Sequence, residues 1–278
     1  MPKSTKSVRI KKKNSEADTS NKKGTHKNIP KNCREENPQF PSQLLQKPKQ
    51  YNHKPIGELE ILVPSAVFLA RNFLSESECK AWIKHAEEEI GFERLDSPQT
   101  REYAQRECGR IQQNDWTMSA ALFERMKPIV LKIANQVVVS NFDPSYAPVA
   151  CNGNIRIYKY ERNMSFGRHY DGSNRIDRFL GGNTEITVLI YLSSCGGGAT
   201  RFHLPHASSS ATKGRKRKSK GTGGGTDNQE VAFVPAAGAI LLHMHGDRCL
   251  EHEADPVLEG VKYILRTDIV YATASSVM

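Results

Sequence analysis

The spacing of hydrophobic positions along the chain changes near residue 150. Between residues 118 and 138, apolar side chains recur every three to four positions, which predicts an amphipathic helix with Asp115 as a candidate N-terminal cap. An earlier helix is indicated near residues 79–86, because Ser75 and Glu78 before it have the spacing of a capping box. From residue 151 onward, short apolar runs alternate with glycine-rich turns, and this half of the chain is predicted to form β-strands.

Together the two halves predict a mixed α+β fold. Residues 156–160, 187–192 and 239–245 have the β-branched, aliphatic and aromatic composition of strands. Short strands separated by turns are typical of a double-stranded β-helix, or jelly roll, in which two sheets can enclose a ligand-sized cavity. We expect residues 151–273 to form this core. Residues 56–150 are expected to support it, with N-terminal helices packed on one outer face.

Two segments lack apolar periodicity and carry the excess positive charge. Residues 1–55 contain 14 basic and 4 acidic residues, a net of +10, which equals the net charge of the whole chain. Residues 207–229 contain 6 basic residues and 1 acidic residue, a net of +5, so the remainder is at about −5. Neither segment can bury enough apolar surface to offset its ordering entropy. We predict a disordered basic tail and a disordered basic insert within the core.

The charge distribution and the cysteines limit the partners and the compartment. The basic segments are suited to weak polyanion binding, to solubility or to nuclear import, but no folded nucleic-acid-binding motif accompanies them. No apolar run reaches the roughly 18–20 residues of a membrane span, and the N-terminus lacks the apolar core of a secretory signal. The six cysteines are scattered without a CxxC pair, as expected for free thiols. We expect an intracellular protein, cytoplasmic or nuclear, that is neither secreted nor membrane-bound.

A candidate metal site is centred on His169 and Asp171. These residues are two positions apart, so on a strand their side chains would share one face. One more imidazole from a distant strand would complete a facial triad of two histidines and one carboxylate. Such a triad suits non-heme Fe(II), because it leaves three coordination positions open. From spacing alone, His243, His245 and His252 are all candidates for the third ligand.

The residues around this pair follow the motif order of a known family. In chain order the motifs are Tyr160 and a polar turn, the HxD pair, T-x-L-x-Y-L at residues 187–192, G-G-x-T-x-F at 197–202, P-x-x-G at 235–238, His252 followed by Glu253, and Lys262 ten residues after His252. Over residues 56–271, and most clearly over 156–271, the chain resembles the prolyl 4-hydroxylase family of Fe(II)/2-oxoglutarate dioxygenases. One departure is Arg201, where family members often have an apolar residue.

The resemblance implies an iron-ligand set. It makes His169, Asp171 and His252 the ligands, so that His243 and His245 line the cavity or hydrogen-bond to the ligands from behind. The implied cofactor is Fe(II), the implied co-substrates are 2-oxoglutarate and O₂, and ascorbate is expected as a further requirement.

The resemblance also implies a co-substrate site. Lys262 corresponds to the family's lysine that pairs with the distal carboxylate of 2-oxoglutarate, and Tyr160 and Thr200 correspond to the hydroxyl donors that bind the same group. A dianion in a cavity requires such charged and hydrogen-bonding partners. Arg266, on the same strand face as Lys262, is the alternative anchor.

The implied activity is hydroxylation of an aliphatic C–H, with a prolyl residue of an intracellular protein or peptide as the expected substrate. Two other classes remain open. The basic segments suggest a nucleic-acid dealkylase with the same triad, although those enzymes hold the co-substrate with arginine rather than with a lysine at the position of Lys262. A catalytically silent binding module is the other class, although no ligand position is visibly broken.

Overall fold

In the described part of the chain, two α-helices begin directly after the predicted caps. Helix α1, Glu76–His85, has Ser75 as its N-cap, and both hydrogen bonds of the capping box between Ser75 and Glu78 form. Helix α2, Trp116–Gln136, follows Asp115, whose carboxylate accepts a 2.8 Å hydrogen bond from the backbone N–H of Met118. Both capping predictions are confirmed.

The computed structural model describes residues 39–46, 55–101, 103–136, 145–179, 181–205 and 229–273. Strands that precede the core or flank it are β1 (Glu60–Val63), β2 (Val67–Ala70), β3 (Glu93–Ser97), β4 (Arg106–Asn114) and β5 (Tyr146–Cys151). The remaining strands are β6 (Asn154–Tyr160), β7 (Phe166–His169), β8 (Arg175–Ile176), β9 (Gly182–Tyr191), β10 (Gly196–Gly197), β11 (Thr200–His203), β12 (Glu230–Phe233), β13 (Ile240–Met244), β14 (Glu251–Ala254), β15 (Val257–Glu259) and β16 (Lys262–Thr273).

Eight of these strands form a jelly roll. One sheet has the antiparallel order β13-β9-β16-β6, and the other has the order β12-β11-β14-β7. If these eight strands are numbered from 1 to 8 in chain order, the first sheet has the order 6-3-8-1 and the second has the order 5-4-7-2. This is the strand order of a double-stranded β-helix. Strand β4 pairs along β6 and, through Arg106 opposite Phe166, also with β7, so it joins the two sheets at one edge. The predicted fold class is confirmed.

The larger hydrophobic core lies between α2 and the sheet that contains β9 and β16. The predicted apolar stripe of α2 is buried in it, and its members are Leu122, Met126, Ile129, Val130 and Ile133. On β6, Ile155 and Ile157 belong to the same cluster, so their side chains face the helices rather than the cavity. The helices therefore cover the outer face of one sheet and leave the space between the two sheets for a ligand.

Residues 39–46 differ from the prediction of a tail without core contacts. Phe40 is 2% exposed and packs on Trp82, with ring centroids 5.1 Å apart. The backbone N–H groups of Gln39 and Phe40 both donate to the carboxylate of Asp115, at 2.7 and 2.8 Å. These residues fold onto the helical face because two apolar side chains, Phe40 and Leu44, are enough to anchor a short segment. The rest of the predicted tail and most of the insert lie outside the described residues.

The ends of the insert meet in a hairpin. Strands β11 and β12 pair antiparallel from Thr200–Phe233 to His203–Glu230. Beyond them, the backbone N–H of Leu204 donates a 2.9 Å hydrogen bond to the carbonyl of Gln229. Arg201 points away from the cavity and bridges this hairpin to β14, pairing with Asp255 at 2.7 Å and with Glu230 at 2.9 Å. Its departure from the family pattern is thus a surface ion-pair network.

None of the described helices is long and apolar enough to cross a membrane. The five cysteines among the described residues carry no disulfide bond.

Gly238 is a point at which the fold tolerates no side chain. Its φ is +80°, and a Cβ there would lie 2.3 Å from the carbonyl oxygen of Leu74. Gly238→Ala is therefore expected to lower the free energy of unfolding by at least about 2 kcal/mol, as measured by urea denaturation. Gly181→Ala is the control, because Gly181 has a similar φ of +71° but open space around it. Equal losses in both variants would mean that the clash with Leu74 is relieved at no cost.

Candidate active site

Strand register brings the two candidate histidine ligands together. His252 on β14 is the direct partner of His169 on β7, and it is also the partner of Phe202 on β11. The ring centroids of the two histidines are 4.2 Å apart. Two residues 83 positions apart in sequence thus face the same point of the cavity because antiparallel partners project to the same side of a sheet.

Backbone hydrogen bonds fix the orientation of both rings. Nδ1 of His169 lies 2.9 Å from the carbonyl of Gly167, and Nδ1 of His252 lies 2.9 Å from the carbonyl of Leu250. If each Nδ1 carries the proton, each Nε2 is left with a free lone pair. Those Nε2 atoms lie 3.8 Å from the two carboxylate oxygens of Asp171. Metal-binding histidines are commonly oriented in this way.

Asp171 reaches the same point from outside a strand. Strand β7 ends at His169, so the expectation that both residues lie on one strand is only half correct. The backbone of Asp171 is held instead by the 3.2 Å contact of its N–H with Sγ of Cys249 and by the N–H of Gly246, which donates to its carbonyl. The spacing of two still places the carboxylate beside the imidazole of His169.

One oxygen of Asp171 is held by the protein. Oδ2 accepts a 2.7 Å hydrogen bond from the hydroxyl of Thr187 and lies 2.9 Å from the guanidinium of Arg266. The second oxygen, Oδ1, faces His169. Arg266, the alternative co-substrate anchor of the sequence analysis, therefore already has a carboxylate partner.

A buried polar network continues behind Asp171. The hydroxyl of Thr187 lies 2.5 Å from Nε2 of His245, and Asp268 lies 3.8 Å from the same nitrogen. Asp268 also pairs with Arg156 at 2.6 Å. The network fixes the rotamer of Asp171. Of its supporting residues, the sequence analysis proposed such a role for His245 but not for Thr187, Asp268 or Arg156. Register could have revealed one link, since Asp268 on β16 is the direct partner of Thr187 on β9.

The two remaining histidines have different surroundings. His245 belongs to the network behind Asp171, as described above. His243 lines the cavity. Its Nε2 atom lies 3.5 Å from Oδ2 of Asp171 and has no hydrogen-bond partner among the described residues. The sequence analysis placed these two histidines either in the cavity wall or behind the ligands. His243 lies in the wall, and His245 lies behind Asp171.

Burial keeps the imidazoles neutral and the carboxylate charged. Burial lowers the pKa of His169 to about 4 and also lowers the pKa of His252. For Asp171 burial alone would raise the pKa, but the positive charge of Arg266 outweighs it and holds the pKa well below its usual value. At neutral pH the three groups are thus two neutral imidazoles and one carboxylate, the protonation states that metal ligation requires.

The donor atoms of His169, Asp171 and His252 all lie within 4.8 Å of one another, which fits a single metal ion. A second group with the same property consists of His243, Cys249 and His252. Burial raises the pKa of Cys249 to about 11, and its sulfur already accepts the N–H of Asp171. A protonated, hydrogen-bonded thiol is a poorer ligand than a carboxylate, so the first group fits the metal better.

Lys262 is a buried cation in the same cavity. It is fully buried, pairs in register with Tyr160, and its Nζ donates a 2.6 Å hydrogen bond to the carbonyl of Gly198. Nζ lies 5.4 Å from the ring centroid of Tyr160. No carboxylate of the described part of the chain lies within 4.0 Å of it, in contrast to Arg266. A ligand carboxylate would supply the missing counter-charge.

Thr200 lies in this wall of the cavity, paired with a residue that the sequence analysis did not assign. Its hydroxyl is 2.7 Å from the hydroxyl of Tyr191, whose ring centroid is 6.0 Å from Nζ of Lys262. Tyr191 is the tyrosine of the T-x-L-x-Y-L motif, so the signal was present in the sequence. Lys262, Tyr160, Thr200 and the three candidate ligands all border one cavity between the two sheets.

Comparisons with known proteins give a limited result. No protein-family model and no curated protein matches the chain. Among solved structures, it is similar to prolyl hydroxylases. The collagen prolyl hydroxylase of Paramecium Bursaria Chlorella virus-1, in its 2OG complex, is 17% identical with a TM-score of 0.45, over 75% of this chain and 97% of its own.

Two further structures are comparable. A Pseudomonas putida prolyl-4-hydroxylase is 14% identical with a TM-score of 0.46, over 73% of this chain and 92% of its own. A Trichoplax adhaerens prolyl hydroxylase, in complex with a peptide fragment of the hypoxia inducible factor oxygen degradation domain, is 16% identical with a TM-score of 0.47, over 75% and 85%. Similarity at this level assigns neither a substrate nor a residue role to this chain.

Proposed function

We propose that the chain is an Fe(II)- and 2-oxoglutarate-dependent dioxygenase that hydroxylates an aliphatic C–H. The observation that carries this proposal is one cavity with two unlike binding sites. At one end, two oriented, neutral imidazoles and a carboxylate converge. At the other, a buried lysine has no carboxylate partner among the described residues. 2-Oxoglutarate matches this arrangement, because one end of this dianion can bind a metal ion and its other carboxylate can pair with the lysine.

Each residue has a definite task in this proposal. His169, Asp171 and His252 hold the metal, while Thr187 and Arg266 keep the carboxylate of Asp171 in place. Lys262 binds the distal carboxylate of 2-oxoglutarate, with the hydroxyls of Thr200 and Tyr160 as further donors. Leu189 and Ile264 add apolar surface to the lining of the cavity. When bound, iron supplies the oxidative chemistry with O₂.

We further propose a prolyl residue of an intracellular protein or peptide as the substrate, with ascorbate as an additional requirement. The sequence resemblance to prolyl 4-hydroxylases over residues 156–271 supports this choice. The dealkylase alternative is less well supported, because Arg266 is committed to Asp171, whereas Lys262 has no carboxylate within 4.0 Å among the described residues.

The direct test is turnover of 2-oxoglutarate by protein reconstituted with Fe(II) and ascorbate. Succinate formation is measured without substrate and with a prolyl peptide, free proline or an alkylated nucleotide. We expect basal turnover that the prolyl peptide stimulates. Stimulation by the nucleotide alone would favour the dealkylase. Stoichiometric Fe(II) binding without any turnover would favour the silent binding module.

Co-substrate affinity is expected to depend on pH through Lys262. Burial lowers the pKa of this lysine to about 8, so it is charged below that pH and loses its charge above it. Because only the charged form attracts a carboxylate, the KM for 2-oxoglutarate should rise above pH 8, approaching about tenfold per pH unit. Steady-state kinetics between pH 6.5 and 9.5 measure this. The rise should be absent in Lys262→Met, and a flat wild-type profile would contradict the assignment.

A further inference from the structure

Arg106 places a second unusual cation in the cavity. It begins β4 at the junction of the two sheets, and its guanidinium carbon lies 4.2 Å from the ring centroid of Tyr158 and 4.3 Å from that of Phe166. Phe166 in turn stacks on His169, with centroids 3.8 Å apart and planes 22° apart. One aromatic ring therefore separates this guanidinium from a candidate metal ligand.

Arg106 differs from several other arginines in having no acidic partner among the described residues. Arg266, Arg156 and Arg201 each pair with an aspartate. Arg106 forms no ion pair with any residue that the structure describes, and its Nε is buried without a hydrogen-bond partner there. Stacking between two rings stabilises the faces of a guanidinium but does not supply an acceptor for the Nε–H on its edge.

The neighbouring groups do not neutralise this charge. Burial raises the pKa of Tyr160, so its hydroxyl stays protonated at neutral pH. Glu253, which also borders the cavity, is 2.8 Å from His203 and 3.5 Å from Arg168. Once Lys262 is assigned to the distal carboxylate of the co-substrate, Arg106 still lacks a counter-charge. Arg106 is only partly buried, but its Nε is buried without a partner among the described residues, and a bound anion would compensate its charge.

We propose that Arg106 binds a carboxylate of the substrate. This inference rests on the proposed function and specifies its substrate class. A carboxylate fits because this guanidinium borders the cavity and its Nε–H has no partner among the described residues, and a carboxylate is a strong acceptor for a guanidinium N–H. Two sources share this chemistry: a terminal carboxylate on the hydroxylated unit, and an acidic side chain next to it.

Matched acid and amide probes test the proposal. Wild-type protein is loaded with Zn(II), which is redox-inactive, and with 2-oxoglutarate, and dissociation constants are measured by ligand-observed NMR. The first pair is N-acetyl-L-proline and N-acetyl-L-prolinamide, which tests a terminal carboxylate. The second pair is acetyl-Gly-Pro-Glu-amide and acetyl-Gly-Pro-Gln-amide, which tests an acidic side chain. We expect the acid of one pair to bind about tenfold or more tightly than its neutral partner.

Variants connect that preference to Arg106. The preference should vanish in Arg106→Met and survive in part in Arg106→Lys. It should be unchanged in Arg94→Met, which removes an exposed arginine paired with Glu107 on the neighbouring strands β3 and β4. Thermal unfolding of each variant shows that the fold is retained, and partial rescue by lysine covers the case in which the methionine variant is unstable.

Three results would overturn the proposal: equal binding of acid and amide in both pairs, binding of none of the four probes, or a preference that persists in Arg106→Met. A fourth comes from kinetics. The KM for 2-oxoglutarate in basal turnover should rise far less in Arg106→Met than in Lys262→Met, and an equally large rise would assign Arg106 to the co-substrate instead. Absence of 2-oxoglutarate turnover in the wild type would count against the proposed function. The Zn(II) assay measures binding alone, so it tests the role of Arg106 even if no turnover occurs.

Discussion

His252→Ala is expected to abolish Fe(II) binding and, with it, succinate formation from 2-oxoglutarate. The variant removes one of three donors that converge on one point, and nothing else on β14 can replace its Nε2 atom. The loss of metal affinity should exceed the 10–100-fold that is typical when a group behind a ligand is removed. Anaerobic calorimetry with Fe(II) and a succinate assay measure the two effects separately.

Two control variants make this prediction specific. His243→Ala should keep a substantial fraction of both activities, because His243 borders the cavity without a bond to the carboxylate of Asp171. His169→Ala should be as damaging as His252→Ala. If instead His243→Ala abolishes binding and His169→Ala does not, the metal belongs to the group of His243, Cys249 and His252.

Lys262→Met is expected to raise the KM for 2-oxoglutarate by about 100-fold or more. Methionine keeps most of the buried stem of the side chain, so the change mainly removes the charge. The distal carboxylate would then be buried without a partner, which costs about 3–5 kcal/mol. Initial rates of succinate formation across a wide co-substrate range measure KM and kcat separately, and Fe(II) affinity should stay within about twofold of the wild type.

Arg266→Met is the matched comparison on the same strand. Its guanidinium is engaged by Asp171 and Asp268, so its removal should weaken metal binding more than co-substrate binding. A larger rise in KM for Arg266→Met than for Lys262→Met would show that the anchor has been assigned to the wrong residue.

Much of the candidate site could be predicted because its residues sit in short motifs with fixed spacing. His169 and Asp171 are two positions apart, and Lys262 follows His252 by ten, so their types and order were visible in the chain. The fold class was predictable for a similar reason, since alternation and turns are local properties. The helix caps at Ser75 and Asp115 were local as well.

The supporting network was not predictable because it depends on which strands lie side by side. Asp268 and Thr187 are opposite each other on β16 and β9, and His245 reaches them from the end of β13. Arg156 joins from β6. Such contacts are set by strand order and register, and neither can be read from the spacing within one segment. The same holds for Arg106, whose lack of a partner is a property of its tertiary surroundings.

The β11–β12 hairpin also has a consequence for variation and for protein engineering. Because the Leu204–Gln229 hydrogen bond and the pairing of β11 with β12 hold positions 204 and 229 together, we expect that residues can be inserted between these positions without moving Thr200 or Phe202. Doubling the length of a flexible loop costs only about 0.6 kcal/mol in closure entropy. This hairpin is therefore a permissive point, where a dye-labelling tag or a whole reporter domain could be inserted while the metal site stays intact.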